Sequence, residues 1–125
     1  MDITVYLSDI LLATAKDDVV FEEADIQYVE ALRAGTLLKA GSAEGKLAPA
    51  AKGDTVVAVL IDRRLVLDEA GRVMRARDFT VGTEYPMVVV KTGVTLNKAK
   101  LVYLDKSTIS EDDVAVLKGL GIVAI

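Results

Sequence analysis

From Thr36 to Leu104 the chain is never far from a glycine. Gly41, Gly45, Gly53, Gly71, Gly82 and Gly93 divide this stretch at intervals of about ten residues, with Pro49 and Pro86 between them. Segments so short leave no room for the long crossover helices of an α/β unit, but they suit strands of about five or six residues. The apolar residues inside them agree. Thr55–Ile61 (TVVAVLI) is a continuous, β-branched run, as expected of a strand buried on both faces. Met87–Val90 is a second such run. Leu65–Leu67 and Val73–Ala76 flank Asp68-Glu69-Ala70-Gly71, which predicts a hairpin. Val94–Leu96 and Leu101–Leu104 complete the series. Evenly spaced strands of this kind predict an antiparallel barrel or sandwich.

The flanks differ from this middle. Residues 2–7 alternate, with Ile3, Val5 and Leu7 on one side and no tight turn following, so the segment is either a free arm or the first strand. Over 22–34 the spacing of Ile26, Val29 and Leu32 predicts a helix, with Glu22, Glu23 and Asp25 in its first turn and Gly35 after its end. A second helix is predicted after Ser110, with Glu111, Asp112 and Asp113 in the first turn, Val114, Leu117 and Leu120 on one face, and Gly121 as its stop. The apolar tail Ile122–Ile125 should pair as a strand or bury in an interface. The expected fold is thus α+β, mostly β: a small antiparallel barrel or sandwich with two short helices. The organisation is an N-terminal arm over 1–21 and a domain over 22–125.

A length of 125 residues suits one domain. A hydrophobic fraction of 52% is more than a lone domain of this size needs, which hints at an oligomer interface. The chain has no Cys and no His. Disulfides, thiolate metal sites and cysteine nucleophiles are excluded, and so is the commonest general base near neutral pH. The net charge of −4 disfavours non-specific nucleic-acid binding. No apolar run reaches the ~18–20 residues of a membrane span, and the N-terminus lacks the cationic region of a signal peptide, so a cytoplasm-like compartment is expected. Charge is uneven: residues 1–30 carry eight acids against Lys16, and residues 63–77 carry five arginines. Two solvated faces explain this; head-to-tail attraction between copies, or steering to a charged partner, is the sharper reading.

The motifs that could carry chemistry fail on spacing. Gly41-Ser42-Ala43-Glu44-Gly45-Lys46 has three residues between its glycines and Leu47 after the lysine, where a phosphate loop needs four and a Ser or Thr. Asp17-Asp18 with Glu22-Glu23, and Glu111-Asp112-Asp113, lack calcium-loop spacing and fall at predicted helix starts, where carboxylates are at home anyway. Asp62 and Asp78 abut arginines, and an ion pair lowers a carboxylate's pKa, the wrong direction for a general acid. No serine has a nucleophile-elbow context. No catalytic residue, cofactor or metal is therefore expected, and the chain suits assembly better than chemistry.

Three segments in order, Gly35-Thr36-Leu37-Leu38-Lys39, then Gly45-Lys46-Leu47-Ala48-Pro49-Ala50, then Val57-Ala58-Val59-Leu60, resemble the head decoration proteins of tailed phages, the family of the phage lambda head decoration protein. Met87–Val94 resembles that family's next strand and glycine turn, and Val116–Val123, with Gly121 and Ile122, its closing segment. The first 33 residues depart from the family's Pro/Thr/Ser/Gly-rich arm. The resemblance implies a lambda decoration protein-like domain that forms homotrimers, with Gly35, Thr36, Leu37, Leu38, Gly45, Lys46, Leu47, Pro49, Gly121 and Ile122 serving fold and trimer. It implies a virion protein, assembled in the host cytoplasm, that binds the major capsid protein on the outer capsid surface and cements it against the pressure of packaged DNA. No direct nucleic-acid or membrane contact is implied. On this reading Ile3, Val5 and Leu7 contact the capsid by adding a strand to one of its subunits. The alternatives are an adaptor in another phage assembly, such as a tail or baseplate, and a small β-rich ligand-binding domain. A biotinyl-carrier version of the latter is disfavoured, since no Met adjoins a Lys.

Overall fold

The computed structural model describes residues 10–14, 20–65 and 78–125. Its strands are β1 (Leu11–Thr14), β2 (Val20–Gln27), β3 (Leu37–Ala40), β4 (Lys46–Pro49), β5 (Ala58–Leu60), β6 (Glu84–Thr92), β7 (Val94–Leu96) and β8 (Ile122–Ala124). Helix α1 (Glu111–Gly119) precedes β8, and 3₁₀ turns occupy Arg63–Leu65 and Lys98–Lys100. Five strands close a barrel in the order β2-β4-β3-β5-β6, and β1-β7-β8 form a separate three-stranded sheet. The barrel is antiparallel except between β2 and β4, and β8 runs parallel to β7, so the expected all-antiparallel pairing becomes mixed.

The continuous apolar runs are explained by two cores that share a wall. Leu38, Ala58, Leu60, Met87 and Val89 pack with Ala24, Ile26, Tyr28, Leu32, Leu65 and Phe79 in one cluster. Their strand neighbours Leu37, Val59 and Val90 pack in another, with Val94, Leu96, Leu101, Tyr103, Leu117 and Ile122. Successive strand residues point to opposite faces. β3, β5 and β6 therefore carry apolar residues on both, one face serving the barrel and the other the seam with the small sheet. The strand expected over Thr55–Ile61 is the shorter β5, fully buried as its composition predicts.

The helix expected over 22–34 is instead strand β2, and among the described residues α1 is the sole α-helix. β2 pairs with β6 along its whole length, from Val20↔Thr92 to Gln27↔Glu84. Ala24, Ile26 and Tyr28 are buried, while Glu23, Asp25 and Gln27 between them are exposed. The acids that suggested a helix start are the wet face of a strand. Leu101–Leu104 likewise forms no ladder; Val102 makes isolated bridges to Thr36 and Thr108. The segment 2–7 and most of the expected hairpin after Leu65 lie outside the described residues.

The C-terminal unit follows its sequence signals. Ser110 caps α1 by accepting a hydrogen bond from the Asp113 N–H, with three acids in the first turn. Gly121 then turns the chain at φ +89°, where an added Cβ would lie 2.2 Å from Thr92 Oγ1. The tail pairs with β7 from Val94↔Ile122 to Leu96↔Ala124.

Gly35 and Gly45 both have positive φ, but their surroundings differ. A Cβ on Gly35 would meet the Lys100 carbonyl oxygen at 2.4 Å, whereas one on Gly45 would meet nothing within 4 Å. Gly45→Ala should cost about 1 kcal/mol of backbone strain, and Gly35→Ala about 3 kcal/mol because a clash is added. Denaturant titration of the two variants should show that order. Equal losses would mean that backbone conformation alone matters at Gly35.

Candidate functional site

The residues singled out by resemblance fall in three places: the crossing at Gly35–Leu38, the β3–β4 hairpin and the start of β8. Gly35 N–H donates to Leu60 O at 2.7 Å, and Gly35 O accepts from Val102 N–H at 3.1 Å. Thr36 is buried; its Oγ1 donates to Arg33 O at 2.6 Å and accepts from the Arg33 N–H at 3.2 Å. Leu37 and Leu38 enter different cores. Gly45, Lys46, Leu47 and Pro49 form the far arm of the β3–β4 hairpin, where Pro49 opposes Leu38 and Leu47 packs on the barrel core. Lys46 Nζ pairs with Glu84 at 2.9 Å on the surface. Gly121 and Ile122 lie at the start of β8, and Ile122 is fully buried. Ile3, Val5 and Leu7 lie outside the described residues.

Two features stand out beyond these. The first is a groove of about 530 Å³ lined by Phe21, Glu23, Ile61, Asp62, Arg63, Arg64, Pro86 and Val88. Asp62, only 3% exposed, lies in its wall. It accepts from Arg64 Nε at 2.9 Å, Arg64 Nη2 at 2.7 Å, Arg64 N–H at 3.0 Å and Val88 N–H at 3.1 Å. Burial alone would raise the Asp62 pKa. The hydrogen bonds from Arg64 and Val88, with the guanidinium charge, outweigh burial and hold it below the ordinary carboxylate range. Arg64 is itself fixed, reaching Pro86 O at 2.7 Å and stacking over Phe79, which packs between Tyr28 and Tyr85. This carboxylate holds no proton to give near neutral pH. Its work is to join the Arg63–Leu65 turn to β6.

The second feature is an apolar surface on the C-terminal unit. Val116 and Leu120 on and after α1, and Val123 and Ile125 on and after β8, are exposed; Ile125 reaches 66%. Sequence periodicity placed Leu120 with the buried Leu117, but the turn into Gly121 leaves it 38% exposed. The burial of Ile122 and Ala124 with Val123 outward is strand alternation, readable once the tail is known to be a strand. Nothing local in the sequence marks the Phe21–Val88 groove, since it gathers four separate segments. Among the described residues no group of three or more acidic, His or Cys side chains could hold a metal ion. No helix there is long and apolar enough to cross a membrane.

Residues 2–124 match the family model of the bacteriophage PhiTE minor capsid decoration protein. No curated protein and no solved structure matches the chain.

For a scaffold of this kind the Asp62–Arg64 pair is a stability element, and its pH dependence has a definite sign. A carboxylate with a lowered folded pKa contributes fully above its unfolded value of about 3.9 and loses that contribution as pH falls toward the folded value. Asp62→Ala strands the Val88 N–H and the guanidinium, and should cost about 2–3 kcal/mol at pH 7. It should also flatten the fall in stability below pH 4. Denaturation curves from pH 7 to 3 check both; an unchanged acid slope would show that Asp62 does not titrate with folding.

Proposed function

The chain belongs to the bacteriophage PhiTE minor capsid decoration protein family, and from that we propose that it binds the outer surface of a phage head as a homotrimer and cements neighbouring major capsid subunits against the pressure of packaged DNA. The family makes it a structural protein of the virion. The observation that carries the finer reading is the apolar C-terminal surface. A small domain with two filled cores gains nothing by itself from leaving Val116, Leu120, Val123 and Ile125 in water; another protein surface is their natural cover. Trimerisation adds avidity. Once one copy touches the shell, the other two bind at high effective concentration, so weak single contacts suffice.

The division of labour we propose keeps the N-terminal arm for the shell and the β domain for the trimer. Within the expected arm of 1–21, Leu11–Thr14 pairs with β7, so the part available for the shell is the segment before it. There Ile3, Val5 and Leu7 would seat in pockets while the strand adds to an open sheet edge of a capsid subunit. Assembly in the host cytoplasm follows from the same reading. The family match favours the capsid over a tail or baseplate adaptor.

The test is co-sedimentation with capsids lacking the protein, together with light scattering of the free protein. Binding to the capsid and a mass near three times 13.4 kDa are expected. Protein that stays in the supernatant would contradict the proposal. Deleting residues 2–8 should abolish sedimentation and leave the mass of the free particle unchanged; a truncated protein that unfolds would show that the segment is core.

A further inference from the structure

On the outer face of β6 the cover thins along the strand. Val90 is buried in the seam with the small sheet, Val88 is half-buried and Pro86 is exposed. On β2, Phe21 is paired with Val90 in the ladder and is still 46% exposed. The groove lined by Phe21, Ile61, Pro86 and Val88 is therefore the uncovered continuation of the seam. Arg63 also lines it and is exposed. Its neighbour Arg64 is bonded to Asp62 and lies in the field of Glu23. Among the described residues Arg63 has no ion-pair partner. An apolar trough with one cation to spare suits an apolar group that carries a carboxylate.

The chain displays such a group on α1. Asp112, Val116 and Leu120 are four residues apart, so they follow one another along one side of the helix and its C-cap. All three are exposed, while Leu117 is buried in the core. Among the described residues Asp112 has no ion-pair partner either; Glu111 beside it is paired with Lys98.

We propose that α1 of one copy seats in this groove of the next, with Val116 and Leu120 against Phe21 and Val88, and Asp112 at Arg63. The proposal rests on the homotrimer reading and says which surfaces build it. A threefold ring needs two different surfaces on each copy, because a self-complementary contact closes at two. The groove and the α1 stripe share no residue, and they match in both polarity and charge. Burial of the apolar side chains supplies the affinity. The Asp112–Arg63 pair fixes the orientation. Closure at three uses every groove and every stripe, so no copy keeps a free end.

The natural absence of cysteine makes the test clean. The double variant Phe21→Cys with Val116→Cys is oxidised, free and bound to capsids, and should run as a covalent trimer on a non-reducing gel. Neither single variant should link alone, but an equimolar mixture of the two should give a covalent dimer. Val116→Lys, at an exposed position, should keep its circular dichroism and fall to the mass of one chain by light scattering. Arg63→Glu and Asp112→Arg should each reduce the share of trimer at a given concentration, and their combination should restore it. A trimeric mass with no covalent link, or a trimer that survives Val116→Lys, overturns this contact and leaves the homotrimer standing. Arg63→Glu that keeps the trimer and loses capsid binding would give the groove to a capsid subunit and also overturn it. A single-chain mass for the unmodified protein, free and on capsids, overturns the contact together with the homotrimer.

Discussion

The crossing at Gly35–Leu37 is the point on which both halves of the fold depend. Over three residues this backbone bonds in two directions. Toward the barrel, Gly35 N–H donates to Leu60 O, and Thr36 O accepts from Leu60 N–H at 3.0 Å. Toward the C-terminal unit, Gly35 O accepts from Val102 N–H, and Leu37 N–H donates to Val102 O at 2.8 Å. No side chain fits at Gly35, because the Lys100 carbonyl occupies its place. From this point Leu37 and Leu38 diverge into separate cores, so a shift here would disturb both packings. The surface ion pairs add little, since exposed pairs such as Lys91–Glu22 and Lys98–Glu111 contribute at most about 1 kcal/mol each.

Local sequence revealed what local forces decide. Ser110, the acids after it and Gly121 determine α1 through capping and a left-handed turn, and these depend only on near neighbours. The runs Thr55–Ile61 and Met87–Val90 were legible as buried strands from their apolar, β-branched composition, although only Ala58–Leu60 of the first forms the strand. β2 was misread because Ile26, Val29 and Leu32 satisfy a three-residue spacing while Ala24, Ile26 and Tyr28 satisfy a two-residue one. The tie is broken by β6, some sixty residues away, whose ladder takes up the whole of β2. Leu101–Leu104 erred the other way: Leu101, Val102 and Tyr103 are buried, but the chain forms only isolated bridges there and no ladder.

The candidate site shows the same division. Of the residues noticed through resemblance, Gly35, Thr36, Leu37, Leu38 and Ile122 are buried, whereas Gly45 is exposed and Lys46, Leu47 and Pro49 are half-buried. The apolar surface of Val116, Leu120, Val123 and Ile125 appears only when the tail is laid beside β7 and its alternate residues turn outward. Charge reasoning did reach Asp62: proximity to arginine implied a lowered pKa, and Arg64 supplies the bonds.

The central claim is that this β domain caps a phage shell from outside in groups of three. Electron cryomicroscopy of capsids lacking the protein, before and after its addition, tests that most directly. The account predicts new density on the outer surface at positions of threefold or local threefold symmetry, each with room for three copies of the barrel. Added density with no threefold character, or none on the outer face, would contradict it.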